Sequence, residues 1–188
     1  MNYENILFLK NFIDKPNTVG SIKPSSKYLT NSILSNIDFS NSSCIIEYGT
    51  GTGVFTKEII KRKNKATILL SFECDDTLYN GFGKQLNNTE ENVYIINDTA
   101  ERVLDYLNKY NIKNVDYIIS GLPFSIIPKE TSTLILENTL GALKLGGEFR
   151  AFQYSLHYYS NLKKLFSKVT LGFQSLNIPP AFIYYCKK

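Results

Sequence analysis

An α/β fold built on a doubly wound, mostly parallel sheet is what this sequence predicts, and three observations carry it. Short β-rich runs near residues 43–48, 67–73, 92–97 and 115–120 alternate with helical segments, the order that covers both faces of a parallel sheet with helices. The first run leads into Gly49-Thr50-Gly51-Thr52-Gly53, as at the first βα turn of a Rossmann-like sheet, where backbone lacking Cβ atoms lets a nucleotide-sized ligand approach. A carboxylate also closes each of the first three strands, at Glu47, Glu73 and Asp98.

Taken in order, residues 4–14 place Ile6, Leu9 and Ile13 on one helical face with Phe12 beside them, and Pro16 stops that helix. It is expected to pack on the sheet or over the ligand site; a helix lying on a membrane would use the same stripe, which Leu7 and Phe8 widen. Ser25 or Ser26 caps a second helix reaching about Ile37, with Gly20 and Pro24 fixing the path into it. After the glycine turn, Val54, Phe55, Ile59 and Ile60 mark another helix. Thr99 begins one whose buried face is Val103, Leu104 and Leu107, and a helix over 129–143 is stopped by Gly146-Gly147. Residues 148–154 form the fifth strand, and 168–176 and 181–186 close a seven-stranded sheet as an antiparallel hairpin. The whole, 1–188, is expected to be one domain: a helical extension over 1–40 covering the ligand site and a core over 41–188.

With 188 residues, 43% hydrophobic and 20% charged, the chain can bury a core without covalent staples and is not of disordered composition. It lacks a basic start followed by an apolar block, and no apolar run nears the ~20 residues of a membrane span, so a cytoplasmic protein, at most peripheral on the inner membrane face, is expected. Cys44, Cys74 and Cys186 are odd in number and widely spaced, giving neither a disulfide framework nor a zinc site, and no metal is expected. The net charge of +4 comes partly from Lys61-Arg62-Lys63-Asn64-Lys65 and Lys187-Lys188. The first run reads as a helix end facing water, with contact to anionic lipid or nucleic acid as the lesser reading.

The glycine turn departs from the dinucleotide fingerprint, which would want glycine where Val54 stands. Glu47 puts negative charge where a pyrophosphate would sit, so a cationic ligand without pyrophosphate suits the turn better; S-adenosylmethionine, with a sulfonium and an amino group, is one. Glu73 follows Glu47 by 26 positions, near the ~20 expected for an acid that holds ribose hydroxyls.

Residues 47–53, Glu73, Asp98 and Ser120-Gly121-Leu122-Pro123-Phe124 together resemble the motifs of class I S-adenosylmethionine-dependent methyltransferases. The resemblance implies that Gly49 and Gly51 approach the methionine moiety, Glu73 takes the ribose hydroxyls and Asp98 meets the adenine amino group, with Tyr48, Thr50, Cys74, Thr99, Ser120 and Ser25 also in the cofactor site. Within that class, Gly20, Pro24, Ser25 and Ser26, and again Asn177-Ile178-Pro179-Pro180-Ala181, are similar to segments of bacterial phospholipid N-methyltransferases, the first bordering the cofactor and the second entering the last strand. More distantly, Leu122-Pro123-Phe124 resembles ribosomal RNA adenine dimethylases, which are expected to carry a helical RNA-binding domain beyond the point where this chain ends. In adenine amino-methyltransferases the motif opens with Asn or Asp, which accepts a hydrogen bond from the target amine; Ser120 is a weaker acceptor.

Methyl transfer to nitrogen is an in-line displacement, so alignment and an unprotonated amine are the main demands. The candidate catalytic residues are Ser120, Tyr154 and His157; the sole histidine stands either as a base or as the start of a surface helix. Tyr28, Tyr154, Tyr158 and Tyr159 either ring a substrate cation or are plain packing residues. The expected substrate is an amine such as the headgroup of phosphatidylethanolamine. RNA adenine, a small soluble amine, and a cofactor-binding module without turnover are the alternatives.

Overall fold

In the computed structural model the described residues are 25–87 and 90–188, so the run at 4–14, Gly20 and Pro24 lie outside them. Helix α1 (Lys27–Ile33) begins where Ser26 Oγ accepts the Leu29 N–H at 3.1 Å, and it stops at Ile33 rather than near Ile37, the chain turning through Asn36 at φ 56°. Strand β1 (Cys44–Tyr48) and helix α2 (Val54–Arg62) flank the glycine turn, and β2 (Ile68–Phe72) follows. The next segment is a broken helix: α3 (Asp76–Leu78), a π turn (Tyr79–Gly83) and α4 (Lys84–Leu86). Then come β3 (Val93–Ile96), a 3-10 turn (Ala100–Arg102) capped by Thr99, α5 (Val103–Lys109) and β4 (Val115–Ser120). The chain closes with α6 (Lys129–Ala142), β5 (Leu143–Gln153), α7 (Tyr159–Leu165), β6 (Lys168–Gln174) and β7 (Ala181–Lys187).

The seven strands lie in the order β3-β2-β1-β4-β5-β7-β6. β1 to β5 are parallel, while β7 runs antiparallel between β5 and β6, so the closing hairpin is present with its second strand inserted inward. Helices cover both faces. Leu29 and Ile33 of α1 and Phe55 and Ile59 of α2 pack on Ile45, Leu69, Ile119 and Ile183. Val103, Leu107, Ile135, Leu136 and Leu162 of α5, α6 and α7 pack on Ile46, Leu70, Ile118 and Phe149. β1 is buried along its whole length because it sits mid-sheet between the two helical layers.

One strand boundary differs from expectation. β5 starts at Leu143, not at 148, because α6 passes directly into it and the two glycines lie inside the strand. Val115 pairs with Leu143 but Tyr117 pairs with Glu148, so the extra residues bulge out, with Gly146 at φ 75°. The basic run at the end of α2 is also not wholly solvated. Arg62 donates to Glu58 Oε1 and Asn31 Oδ1 at 2.8 Å, and Lys63 is buried, its ammonium donating to the carbonyls of Thr67 and Glu91 at 3.1 and 3.2 Å. The three cysteines are free, two buried and Cys74 half-buried.

Two buried charges hold the frame. Asp116 Oδ2 accepts the N–H groups of Ser43 and Cys44 at 2.7 and 3.0 Å, fixing the start of β1, while Oδ1 meets the Lys144 ammonium. Arg150 on β5 lies between the rings of Tyr117 and Tyr185, each centroid 5.3 Å away, and donates to Ile33 O at the end of α1, to Ser35 O in the turn beyond it, and to Glu148. Replacing Arg150 by methionine strands both carbonyls and the carboxylate; a loss of about 2–4 kcal/mol in urea unfolding is expected. Arg150→Lys should recover little of it, since one ammonium cannot span the fork.

Candidate functional site

The strand order reverses between β1 and β4, and the crevice of a doubly wound sheet opens at that place. The glycine turn is pinned there: Gly49 and Thr50 donate to Phe72 O at 2.8 and 3.1 Å, and Gly121 donates to Tyr48 O at 2.9 Å. Gly49 and Gly51 sit at φ 83° and 53°, and a Cβ built on Gly51 would meet nothing within 4 Å, so bare backbone faces open space.

Side-chain alternation sends Glu47 and Tyr48 to opposite faces. The Tyr48 side chain is fully buried against Phe72, its hydroxyl 3.3 Å from Thr139 Oγ1, so of the residue only the backbone reaches the turn. Glu47 is equally buried, yet its Oε2 accepts from Thr56 Oγ1 and Ser71 Oγ at 2.7 Å each, and Thr50 Oγ1 lies 2.7 Å from Ser71 Oγ. Its other oxygen, Oε1, is buried with no hydrogen-bond partner among the described residues. Burial pushes the Glu47 carboxyl up to about 7, against the hydroxyls that stabilise its charge and with a further push from Glu73. Such an orphaned acceptor is costly unless a donor arrives.

Glu73 Oε2 accepts the Gly51 N–H at 2.7 Å and Oε1 the Asp75 N–H at 3.0 Å; burial raises its carboxyl, the two backbone donors opposing. Each oxygen keeps a free lone pair for a hydroxyl. Asp98 is more engaged, taking Arg102 Nη1 at 2.7 Å, the Tyr106 hydroxyl at 2.8 Å and the Thr99 N–H at 2.8 Å. Cys74 is next to Glu73, its thiol pushed up to about 12 by burial, and Thr99 caps the 3-10 turn. Acceptors at three adjoining strand tips, one of them orphaned, around open backbone are a donor set that fits a cationic nucleoside. Glu47, Gly49, Gly51, Glu73 and Asp98 are the residues that would hold S-adenosylmethionine here.

Beyond β4, Ser120 is buried and its Oγ accepts the Leu122 N–H at 3.2 Å, shaping the turn. Phe124 is also buried: its ring packs against Tyr158 at 5.5 Å and edge-on to Phe149 at 6.2 Å. Gln153, absent from the sequence-based candidates, donates through Nε2 to Leu122 O at 2.8 Å and ties the end of β5 to this turn. A lone glutamine at a strand end carries no motif that would have marked it.

The four tyrosines do not form one ring. Tyr158 lies against Phe124 and Tyr159 packs against Tyr184, whereas Tyr28 and Tyr154 are exposed. His157 is exposed in the turn before α7, its ring centroid 5.7 Å from that of Tyr158. Asn177, buried, joins the two segments that bracket the chain: its Oδ1 accepts the Ser26 N–H at 3.0 Å and its Nδ2 donates to Pro179 O at 2.7 Å. Ser25 is half-buried at this junction, and α1 packs against β5, β6 and β7.

Comparison with known proteins agrees with this geometry. The chain is 27% identical over 182 residues to the ornithine lipid N-methyltransferase of Singulisphaera acidiphila, covering 96% of this chain and 94% of that one. It is 30% identical over 156 residues to ribosomal RNA small subunit methyltransferase A of Borrelia garinii subsp. bavariensis, covering 77% of this chain and 50% of the relative, so it spans about half the length of that protein. The crystal structure of the N-methyltransferase NodS from Bradyrhizobium japonicum WM9 superposes with a TM-score of 0.68 at 11% identity, covering 85% of this chain and 93% of NodS. Residues 24–148, more than half of the chain, match the family described as ribosomal RNA adenine dimethylase. The protein is therefore an S-adenosylmethionine-dependent methyltransferase and belongs to the ribosomal RNA adenine dimethylase family.

Proposed function

We propose that this enzyme methylates the amine of a membrane-lipid headgroup, as in ornithine lipid or phosphatidylethanolamine. The observation that carries the reading is Phe124: its ring is enclosed by Phe149 and Tyr158, so the turn after β4 presents no aromatic face on which an extruded base would stack. Ser120 at the head of that turn spends an acceptor site on Leu122 N–H instead of offering a carboxamide to an exocyclic amine. The end-to-end similarity to a lipid N-methyltransferase supports the same reading.

Bound S-adenosylmethionine supplies a methyl group on a cationic sulfur. Glu47 and Glu73 set the charge at the cofactor end, and Gln153 holds the Leu122 carbonyl at the edge where the acceptor amine would enter. An unprotonated amine would take the methyl group that the bound cofactor supplies and shed one proton to solvent or to His157, exposed in the turn before α7; Tyr154, whose phenol burial keeps protonated, can hydrogen-bond the amine but not take that proton. Incubation with methyl-labelled S-adenosylmethionine and, in parallel, aminolipid vesicles, protein-free ribosomal RNA and soluble polyamines tests this. Label is expected in the lipid fraction; label in RNA or polyamine alone overturns the reading.

A further inference from the structure

A primary amine that attacks with its lone pair aimed at the methyl carbon carries two N–H bonds pointing away from that carbon, and a site closed to water has to supply acceptors for them. Most acceptors of the turn after β4 are already taken. Ser120 Oγ accepts the Leu122 N–H at 3.2 Å. Leu122 O accepts from Gln153 Nε2 at 2.8 Å and from the Phe124 N–H at 3.0 Å, which fills both of its lone pairs. Pro123 O likewise accepts the N–H groups of Ile126 and Ile127, at 3.0 and 3.3 Å.

Gln153 is different. Leu122 O can only accept, so the group that meets it is the amide nitrogen, and the carboxamide is held with its oxygen turned to the other side. That oxygen has no hydrogen-bond partner among the described residues. It is not sealed in either. Among those residues Glu47 Oε1 is the one side-chain polar atom shut away without a partner, so the Gln153 oxygen, on a residue only 5% exposed, keeps an opening. Its place is the reacting end of the sheet. Ser120 pairs with Ala151, so Gln153, two residues farther along β5 and on the same face, stands past the tip of β4, over the turn. Leu122, to which it is tied, has Cδ2 3.5 Å from where a Gly49 Cβ would be. A single residue therefore separates the carboxamide from the glycine turn that would hold the cofactor.

We infer that Gln153 Oε1 receives an N–H of the substrate amine and so aims its lone pair for attack, with Nε2 as the tether that fixes the direction. A neutral acceptor suits this task, because a carboxylate here would favour the protonated, unreactive amine. As the N–C bond forms and the S–C bond breaks, the nitrogen becomes cationic and its N–H a stronger donor, so the bond to Oε1 tightens toward the transition state. The proton that the product nitrogen sheds then leaves to solvent or to His157. The inference rests on the lipid reading above for the source of the amine, since this acceptor would serve any amine that keeps an N–H.

Gln153→Met, which keeps the length of the side chain and removes both polar groups, tests it on the full chain saturated with S-adenosylhomocysteine. Calorimetric titration compares short-chain phosphatidylethanolamine, which has N–H groups, with short-chain phosphatidylcholine, which has none. The variant is expected to bind the first about tenfold more weakly, the level of one hydrogen bond to a charged group, and the second as the wild type does. With S-adenosylmethionine in place of the inhibitor, kcat for the first methyl transfer should fall by at least about the same factor. Incomplete folding changes the stoichiometry of a titration and not the ratio of the two affinities, and Gln153→Leu repeats the comparison with a differently shaped side chain. Equal weakening for both lipids overturns the inference and makes Gln153 a strut of the Leu122 turn. No weakening for either overturns it too. Wild-type protein that binds neither lipid sinks the lipid reading alone; the amine that it does methylate, set against the fully methylated form of that amine, then decides the role of Gln153 by the same criterion.

Discussion

Replacing Glu47 by glutamine is expected to weaken S-adenosylmethionine binding about 100-fold at pH 8 and to flatten its pH dependence, both measurable by calorimetry. Oε1 has no partner among the described residues, in a site already furnished with two hydroxyl donors on Oε2. In the ligand-free protein burial holds this carboxyl at about 7 from an ordinary 4.5. A cation arriving beside it favours the charged form, so wild-type affinity should rise from pH 6 to pH 8 and a proton should be released on binding. Glutamine has no proton to release. Stability of the empty protein moves oppositely. Between about 4.5 and about 7 the unfolded chain has lost a proton that the folded one keeps, so stability falls as pH rises through that window, by at most roughly 3 kcal/mol, and is level in this respect above it. The glutamine variant should lose that slope while binding poorly, a pairing that separates a functional role from a merely structural one.

Gly147→Val is expected to prevent folding, and Gly147→Ala to cost about 3–5 kcal/mol in urea unfolding. A Cβ at this position would stand 3.0 Å from Lys144 O, 3.0 Å from Val115 O and 3.1 Å from Asp116 O. All three are backbone oxygens where β5 bulges beside β4, and none can swing away as a side-chain end would. Gly51→Ala makes the contrast: nothing lies within 4 Å of its Cβ, so the fold should bear only the strain of φ 53°, about 1 kcal/mol. Its loss should fall instead on cofactor affinity, because the methyl fills the space the ligand would use. Circular dichroism and calorimetry on the two alanine variants should therefore separate cleanly.

The elements that were legible in the sequence are those whose signal is local. The run to Glu47, the glycine turn and the acids at Glu73 and Asp98 could be placed together because parallel strands joined by helices bring their ends to one edge. Alternation within a fully buried strand was not visible, since both neighbours of Glu47 are apolar; hence Tyr48 was grouped with the cofactor residues although its ring lies in the opposite core. Gly146-Gly147 looked like a helix stop, for a strand bulge and a C-cap ask for the same residue. Phe124 stands in a motif the sequence shares with ribosomal RNA adenine dimethylases, and its enclosure comes from Phe149 and Tyr158, in more distant parts of the chain. Asp116, Arg150 and Gln153 left no trace in any motif, because what each does depends on partners many residues away.

The bond between Asn177 and Ser26 spans 151 positions. During synthesis, α1 emerges early, but its anchors do not: Arg150 holds Ile33 O at its end and Asn177 its first turn. Leu29 and Ile33 can meet Phe55 and Ile45 early, but their cover from Ile183 waits until β7 has left the ribosome, so docking of the helix is completed late. Ser26, at the head of α1, is joined to the sheet through the same step, so maturation of the mouth is tied to the emergence of the β6–β7 turn.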